Sequence, residues 1–341
     1  MRESQKMIIF YFSGTGNAKT IASWFLEFAS EKGISTQLVN IADKDYSPLE
    51  NMQPDSLIGI ISPIHGFNFP KVTLDFIRGI PSGNNKILLM NTRAGLKLHR
   101  FVTPGLTGVA FMLSSLILKR KGYTIIGEIP FDMPSNWISV HPALREKAVQ
   151  YIFQKNHSRV KVHFDRIYSG KNDFVARKDI IQDVLISPIA LAYYFIGKYF
   201  LAKSFYASHK CINCNLCIKQ CPVQAVKKEN ERPYWTFKCE SCMKCMNNCP
   251  VDAIETPHGL WILVIYATSI LCTFILYNLL SVSSQHWLVE FTLFNVLLVA
   301  LMFLFYRIQQ FLLRYPFVAK LISYTSLTRY KFWGRYKAKN K

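Results

Sequence analysis

A chain of 341 residues has room for two or three domains, and half of its residues are apolar. Forty-one Lys and Arg against 21 Asp and Glu give a net charge of +20, which suits nucleic acid, an anionic membrane surface or an acidic redox partner. Nine cysteines would suit a disulfide scaffold only after export, but MRESQKMIIFYFSG reads as the approach to a buried strand rather than a signal peptide, so metal is expected before disulfides. The first predicted element is that strand, Met7–Phe12. SGTGNAKT follows at Ser13–Thr20, and an amphipathic helical stretch, IASWFLEFASEKG, stops at Gly33. Strand, Gly-rich turn and helix aim backbone N–H groups and a positive helix end at an anion. The loop lacks the third glycine of a dinucleotide fingerprint and the Lys-Ser/Thr pair of a P-loop. Ser13, Thr15 and Asn17, set among Gly14, Gly16 and Ala18, add side-chain donors. That set suits a terminal phosphate monoester.

At these residues the chain resembles the flavodoxins, and the resemblance implies FMN. Further strands are predicted at Ser35–Asn40, Leu57–Ser62, Lys86–Asn91 and Thr124–Ile129, separated by helical stretches. The alternation argues for an α/β doubly wound parallel sheet with helices on both faces. In the flavodoxin-like order the flavin sits at the switch between the first and third strands. The loop after the third strand, Ser62–Lys71, carries His65, Gly66, Phe67 and Phe69 where flavodoxins hold the ring with aromatics. The loop after the fourth, Asn91–Arg100, would edge the isoalloxazine with Thr92, Arg93, Ala94 and Gly95. Two positions depart from the pattern: Ala18 replaces the usual final Thr of the phosphate loop, and no aromatic precedes Phe101.

Eight cysteines fall in two identically spaced quartets, CINCNLCIKQCP from Cys211 and CESCMKCMNNCP from Cys239, each C-x2-C-x2-C-x3-C-P. Structural zinc commonly uses two C-x2-C pairs set well apart, whereas here a third cysteine follows by the same step and a fourth precedes proline. The run from Ser208 to Thr256 resembles the two-cluster bacterial ferredoxins, in which the fourth cysteine ligates the other cluster. The resemblance assigns Cys211, Cys214, Cys217 and Cys249 to one [4Fe–4S] cluster. It assigns Cys239, Cys242, Cys245 and Cys221 to the other. Cys272, inside an apolar run, reads as a small hydrophobe. Together with MPSNWI at Met133–Ile138, the two parts resemble flavodoxin–ferredoxin fusion proteins over roughly residues 5–256.

Beyond Pro257 the composition changes. Leu260–Leu280 is 21 residues without a charge, SVSSQH follows, and Trp287–Tyr306 is a run of 20 with Glu290 its only charge. Trp261, Trp287 and Tyr306 fall at the run ends, as an aromatic belt requires. From Arg307 onward there are nine Lys/Arg and no Asp/Glu, which by the positive-inside rule makes the tail cytoplasmic. Two transmembrane helices in a hairpin then leave the cluster domain cytoplasmic too, in a multi-pass protein of the cell membrane. Val184–Gly197 is a third apolar run of 14 residues containing Pro188, and its length suits a core or interfacial segment. A span there would put the clusters outside, against the charge pattern.

The predicted order is therefore a flavodoxin-like domain (1–170), a linker with the apolar segment (171–207), a small α+β two-cluster domain (208–256), a membrane hairpin (258–310) and a basic tail (311–341). The expected partners are membrane lipid and a soluble or membrane-bound redox protein; anionic lipid accounts for much of the charge, so nucleic acid is not needed. Three functions are open. The chain is an electron carrier between FMN and two [4Fe–4S] clusters, a membrane-associated quinone or small-molecule reductase, or a flavin-free interaction module. No catalytic set can be argued, and His258 and His286, at the ends of the apolar runs, read as ordinary boundary residues.

Overall fold

The computed structural model describes residues 6–50, 52–53, 55–98, 101–140, 144–279 and 287–330. The chain divides into two compact units: Met1–Asn136 with Ala143–Leu191, and Trp137–Pro142 with Ala192–Arg335.

In the first unit, β1 (Lys6–Tyr11), β2 (Ser35–Asn40), β3 (Leu57–Pro63), β4 (Lys86–Leu98) and a strand at Thr124–Pro134 form one parallel sheet. Counted along the parallel strands, the order is 2-1-3-4-5, the flavodoxin-like doubly wound order. Strand β1 shows why its apolar run is unbroken. Met7 and Ile9 enter the cluster made with helix α1 (Asn17–Glu31) and the helix Glu146–Tyr168. Phe10 turns to the opposite face, 4.9 Å from Phe76 of helix Lys71–Gly79. A strand covered on both faces has no polar side to alternate with.

Two boundaries differ from expectation. Strand β4 does not stop at Asn91 but runs to Leu98, and its parallel neighbour runs past Ile129 to Pro134. Residues 92–95 are thus strand, not loop, with Arg93 opposite Asp132 and Gly95 opposite Pro134. Each strand's extension supplies the other's hydrogen-bond partners, a long-range cause that no local pattern carries. An antiparallel strand, Phe101–Thr103, folds back on the end of β4.

The second unit holds the cysteine quartets on loops around two short helices, Leu216–Lys219 and Lys244–Asn247, which carry Cys217 and Cys245. Two antiparallel pairs brace them, Val226–Glu229 with Arg232–Trp235, and Tyr206–Ala207 with Ile254–Glu255. Two long apolar helices follow, His258–Asn278 and Trp287–Leu312, then a short one at Pro316–Tyr324. Cys272 is buried, its thiol facing the Glu290 carbonyl at 3.9 Å, as a small hydrophobe between helices would be. His258 is a tie rather than a boundary residue. The Leu327 N–H donates to its Nδ1 (3.1 Å), so Nε2 carries the hydrogen donated to the Ser139 carbonyl (2.8 Å). Ser283, His286 and the rest of the loop 281–286, and residues 331–341 of the basic tail, lie outside the described residues.

The apolar segment around Pro188 is a single helix, Val175–Ala202, and with it three described helices, not two, are long and apolar enough to cross a membrane. Pro188 does not break this helix because its lost N–H is replaced. Ser187 Oγ donates to the Val184 carbonyl at 2.7 Å, the acceptor that residue 188 would have served. The first turns of the helix pack in the sheet unit, where Asp183 accepts from the Gly108 N–H at 2.7 Å. From there on, Leu185, Ile189 and Phe195 are exposed.

Candidate functional site

The two cysteine quartets are a repeat at the level of the backbone. Asn213, Asn215 and Gln224 take left-handed conformations, and so do Ser241, Met243 and Asp252, each 28 residues later. No L-residue adopts that region freely, so the matching positions show the chain bending the same way twice. The sulfur environments repeat as well. The Ala225 N–H donates to Cys221 Sγ (3.1 Å) and the Ala253 N–H to Cys249 Sγ (3.2 Å), the last cysteine of each quartet. Such bonds tune a cluster's potential.

Cys211, Cys214, Cys217 and Cys249 line one cavity together with Cys245, and Ile212, Leu216, Pro233 and Ile254 close its apolar wall. Burial, and then Cys211, Cys214 and Cys249, push the Cys217 thiol up to about 12. In the other set, burial and Cys221 push Cys242 up to about 11, and Cys239 and Cys245 are raised as well. Metal binding requires thiolates, so these raised thiols would release their protons as metal binds. Among the described residues, no three His, Cys, Asp or Glu side chains converge as a single ion demands. A ring of thiols around a cavity fits a cluster better than a tetrahedral zinc, whose four sulfurs each sit about 2.3 Å from one point.

In the sheet unit the sequence-predicted residues gather at the carboxyl ends of the strands. Gly16 caps α1 at φ 105°, and its N–H donates to Ser13 Oγ at 3.1 Å. No side chain caps the first turn and no acidic residue lies in it, which leaves the positive helix end open to an anion. Thr15 is nearly buried beside it, and Asn17 donates to the Pro134 carbonyl (2.8 Å) while its Oδ1 has no partner. Ala18 lies in the core cluster, which accounts for a small apolar residue where a hydroxyl was expected. This loop fits a phosphate.

After β3, His65 and Asn68 bridge across Gly66 and Phe67, both at positive φ. Gly108 supports the turn from below, since a Cβ there would lie 2.2 Å from the Phe67 carbonyl oxygen. Phe67 stays partly exposed, whereas Phe69 is 2% exposed and sits edge-on to Phe111 in the core. The end of β4 brings Thr92, Arg93, Ala94 and Gly95 alongside, with the Ile64 N–H donating to the Thr92 carbonyl. Arg93, however, is committed elsewhere. Its side chain is 5% exposed, Nε donates to Asp132 and a terminal nitrogen to Asp179, both at 2.7 Å. Against burial, which would lower it, the two carboxylates hold the Arg93 pKa above the ordinary value. Asp132 and Asp179 were missed because they lie 39 and 86 residues from Arg93, and no local motif marks them.

Residues 210–254 match the 4Fe-4S dicluster domain family. No curated protein matches the chain. Among solved structures it is similar to oxidised flavodoxin 1 from Bacillus cereus, with 14% identity, 47% of this chain and 99% of that one covered, and TM-score 0.31. A flavodoxin from the domain Archaea gives 16%, 46%, 99% and 0.30. Fusobacterium nucleatum flavodoxin bound to flavin mononucleotide gives 12%, 49%, 99% and 0.34. The strand order, rather than these distant likenesses, carries the fold. The chain thus joins a unit of flavodoxin-like topology to a 4Fe-4S dicluster domain followed by long apolar helices.

Proposed function

We propose that this protein is a membrane-anchored electron carrier that passes electrons between FMN and two [4Fe–4S] clusters. The observation that carries the reading is the cysteine arrangement: eight thiols in two repeated bends, with Cys249 facing the cavity of the first quartet's three leading cysteines. Cys211, Cys214, Cys217 and Cys249 would hold one cluster, and Cys239, Cys242, Cys245 and Cys221 the other. The open end of α1, with Ser13, Thr15 and Gly16, would take the FMN phosphate, and the His65–Phe67 turn would border the ring. Bound, the flavin supplies one- and two-electron chemistry and each cluster single-electron transfer. The protein's own part is to hold these groups, shield the partly buried thiolates from water and donate N–H hydrogen bonds to sulfur.

Two features support a membrane anchor. Ile262, Tyr266, Phe291, Val296 and Leu304 stand exposed on the two C-terminal helices, where water would disfavour them. Both outer ends of that hairpin return to the cluster unit, at His258 and at Tyr306, whose hydroxyl accepts from the Trp235 N–H at 3.2 Å. With the basic tail, this supports a hairpin whose two ends and whose cluster domain are cytoplasmic.

The test is anaerobic purification in detergent, with iron, sulfide and flavin measured on one sample. About eight irons with matching sulfide are expected, together with FMN rather than FAD on denaturation. Chemical reduction of the bound flavin should then reduce the clusters. Zinc in place of iron would sink the cluster assignment, and iron-replete protein unable to bind FMN would favour the interaction-module reading.

A further inference from the structure

Lys203 follows directly on the helix Val175–Ala202 and is buried, 1% exposed, inside the cluster unit. Its Nζ donates to the Trp235 carbonyl (2.5 Å) and the Tyr234 hydroxyl (3.1 Å). The rings of Tyr234 and Phe237, each 4.4 Å away, and of Tyr306, 4.9 Å away, enclose the rest of it. Aromatic faces attract an ammonium but do not neutralise it. Among the described residues no carboxylate lies within 4 Å of it, and Glu229 is taken by Arg307 at 2.6 Å. A buried cation without a counter-charge is costly, and such residues are ordinarily paired.

The charge that remains belongs to the second quartet. Trp235 and Phe237 lead directly into Cys239, and Ser241, inside the quartet, donates to the Leu201 carbonyl (3.2 Å), two residues before Lys203. Burial brings the Lys203 ammonium down to about 8, and of the charged groups around it Cys239 raises it most, ahead of Glu229. We propose that Lys203 is the counter-charge of the iron–sulfur cluster held by Cys239, Cys242, Cys245 and Cys221, and that it raises that cluster's reduction potential. Four thiolates and a cubane carry net negative charge, and an added electron deepens it by one unit. A fixed cation nearby therefore favours the reduced form. The cation also sits where a helix end meets Tyr306 of the C-terminal hairpin, so helix seating and potential depend on one side chain.

This rests on the cluster assignment proposed above, and the experiment separates the two. Full-length protein in detergent is titrated anaerobically with dithionite and mediators, and the clusters are followed by electron paramagnetic resonance beside iron and sulfide analysis. Wild type is compared with Lys203→Met and Lys203→Arg. In iron-replete Lys203→Met one of the two reduction steps should move to lower potential while the other stays, and Lys203→Arg should restore it. Loss of iron in Lys203→Met alone would report the same dependence on charge. Iron-replete Lys203→Met with both steps at wild-type potential would overturn the proposal, as would equal iron loss in both variants, which marks packing. Iron-free wild type would instead sink the cluster assignment.

Discussion

Arg93 and Lys203 are both buried cations, but the fold gives them different partners. Arg93 is clamped between Asp132 and Asp179, so its loss takes the guanidinium from both carboxylates and, among the described residues, leaves Asp132 only Arg159, at 3.8 Å, as a cation. Arg93→Ala should therefore cost about 3–5 kcal/mol, the cost of breaking a buried pair on one side, and the denaturant midpoint of the sheet unit should fall accordingly. The fraction that remains folded should still bind FMN, which separates an architectural Arg93 from a ring-contacting one. Thr15→Ala should act the other way, with the melt little changed and FMN about tenfold weaker or more in a flavin titration, since a hydrogen bond to a charged group contributes about 1.5–3 kcal/mol. Cys221→Ser should remove iron from the set it shares with Cys239, Cys242 and Cys245, leaving about half of the iron and one reduction step.

At the level of elements, two of the long helices depend on a polar contact that hydropathy does not register. Ser187 serves the Val184 carbonyl so that the helix continues through Pro188. The helix Trp287–Leu312 is seated by the Tyr306 hydroxyl, which accepts the buried Trp235 N–H. Tyr306→Phe keeps the ring and removes the acceptor. It should destabilise the cluster unit by about 1–3 kcal/mol, the cost of a buried donor left unmatched. Loss of cluster absorbance on heating would show this as a lower transition temperature, and an unchanged transition would mean that water or another group takes over. The short helices of the quartets work differently: each follows left-handed bends at Asn213 and Asn215, or at Ser241 and Met243.

At the level of the whole molecule, the exposed apolar helices and the excess of basic residues make one prediction. The protein should stay with membranes through carbonate and high salt and leave them only with detergent, because in lipid each helix of the C-terminal hairpin would satisfy its own backbone polar groups. A reporter fused at the C-terminus should be cytoplasmic, and Ser283→Cys should label from outside. An externally accessible C-terminus would break the hairpin, and release by salt alone would mean that only the basic surface holds the chain.

The cysteine spacing, the strand–loop–helix start and the apolar runs after Pro257 were legible in the sequence because each is local, set by chemistry a few residues long. The quartets point to iron whatever surrounds them, and the run Met7–Phe12 declares a strand buried on both faces. What lay beyond reach was set by partners distant in the chain. Residues 92–95 read as loop, since nothing near them reveals that Thr124–Pro134 extends to pair with them. Arg93 read as a ligand-facing residue, because Asp132 and Asp179 become its neighbours only when the sheet closes. The run around Pro188 read as a short segment of 14 residues, because nothing local marks the longer helix Val175–Ala202 that contains it. Lys203 carried no signal at all: one lysine after an apolar helix looks like a solvated end, and only packing of Trp235, Phe237 and Tyr306 around it makes it a buried charge. Short-range chemistry can be read along a chain, whereas burial and charge pairing are properties of groups that folding alone makes adjacent.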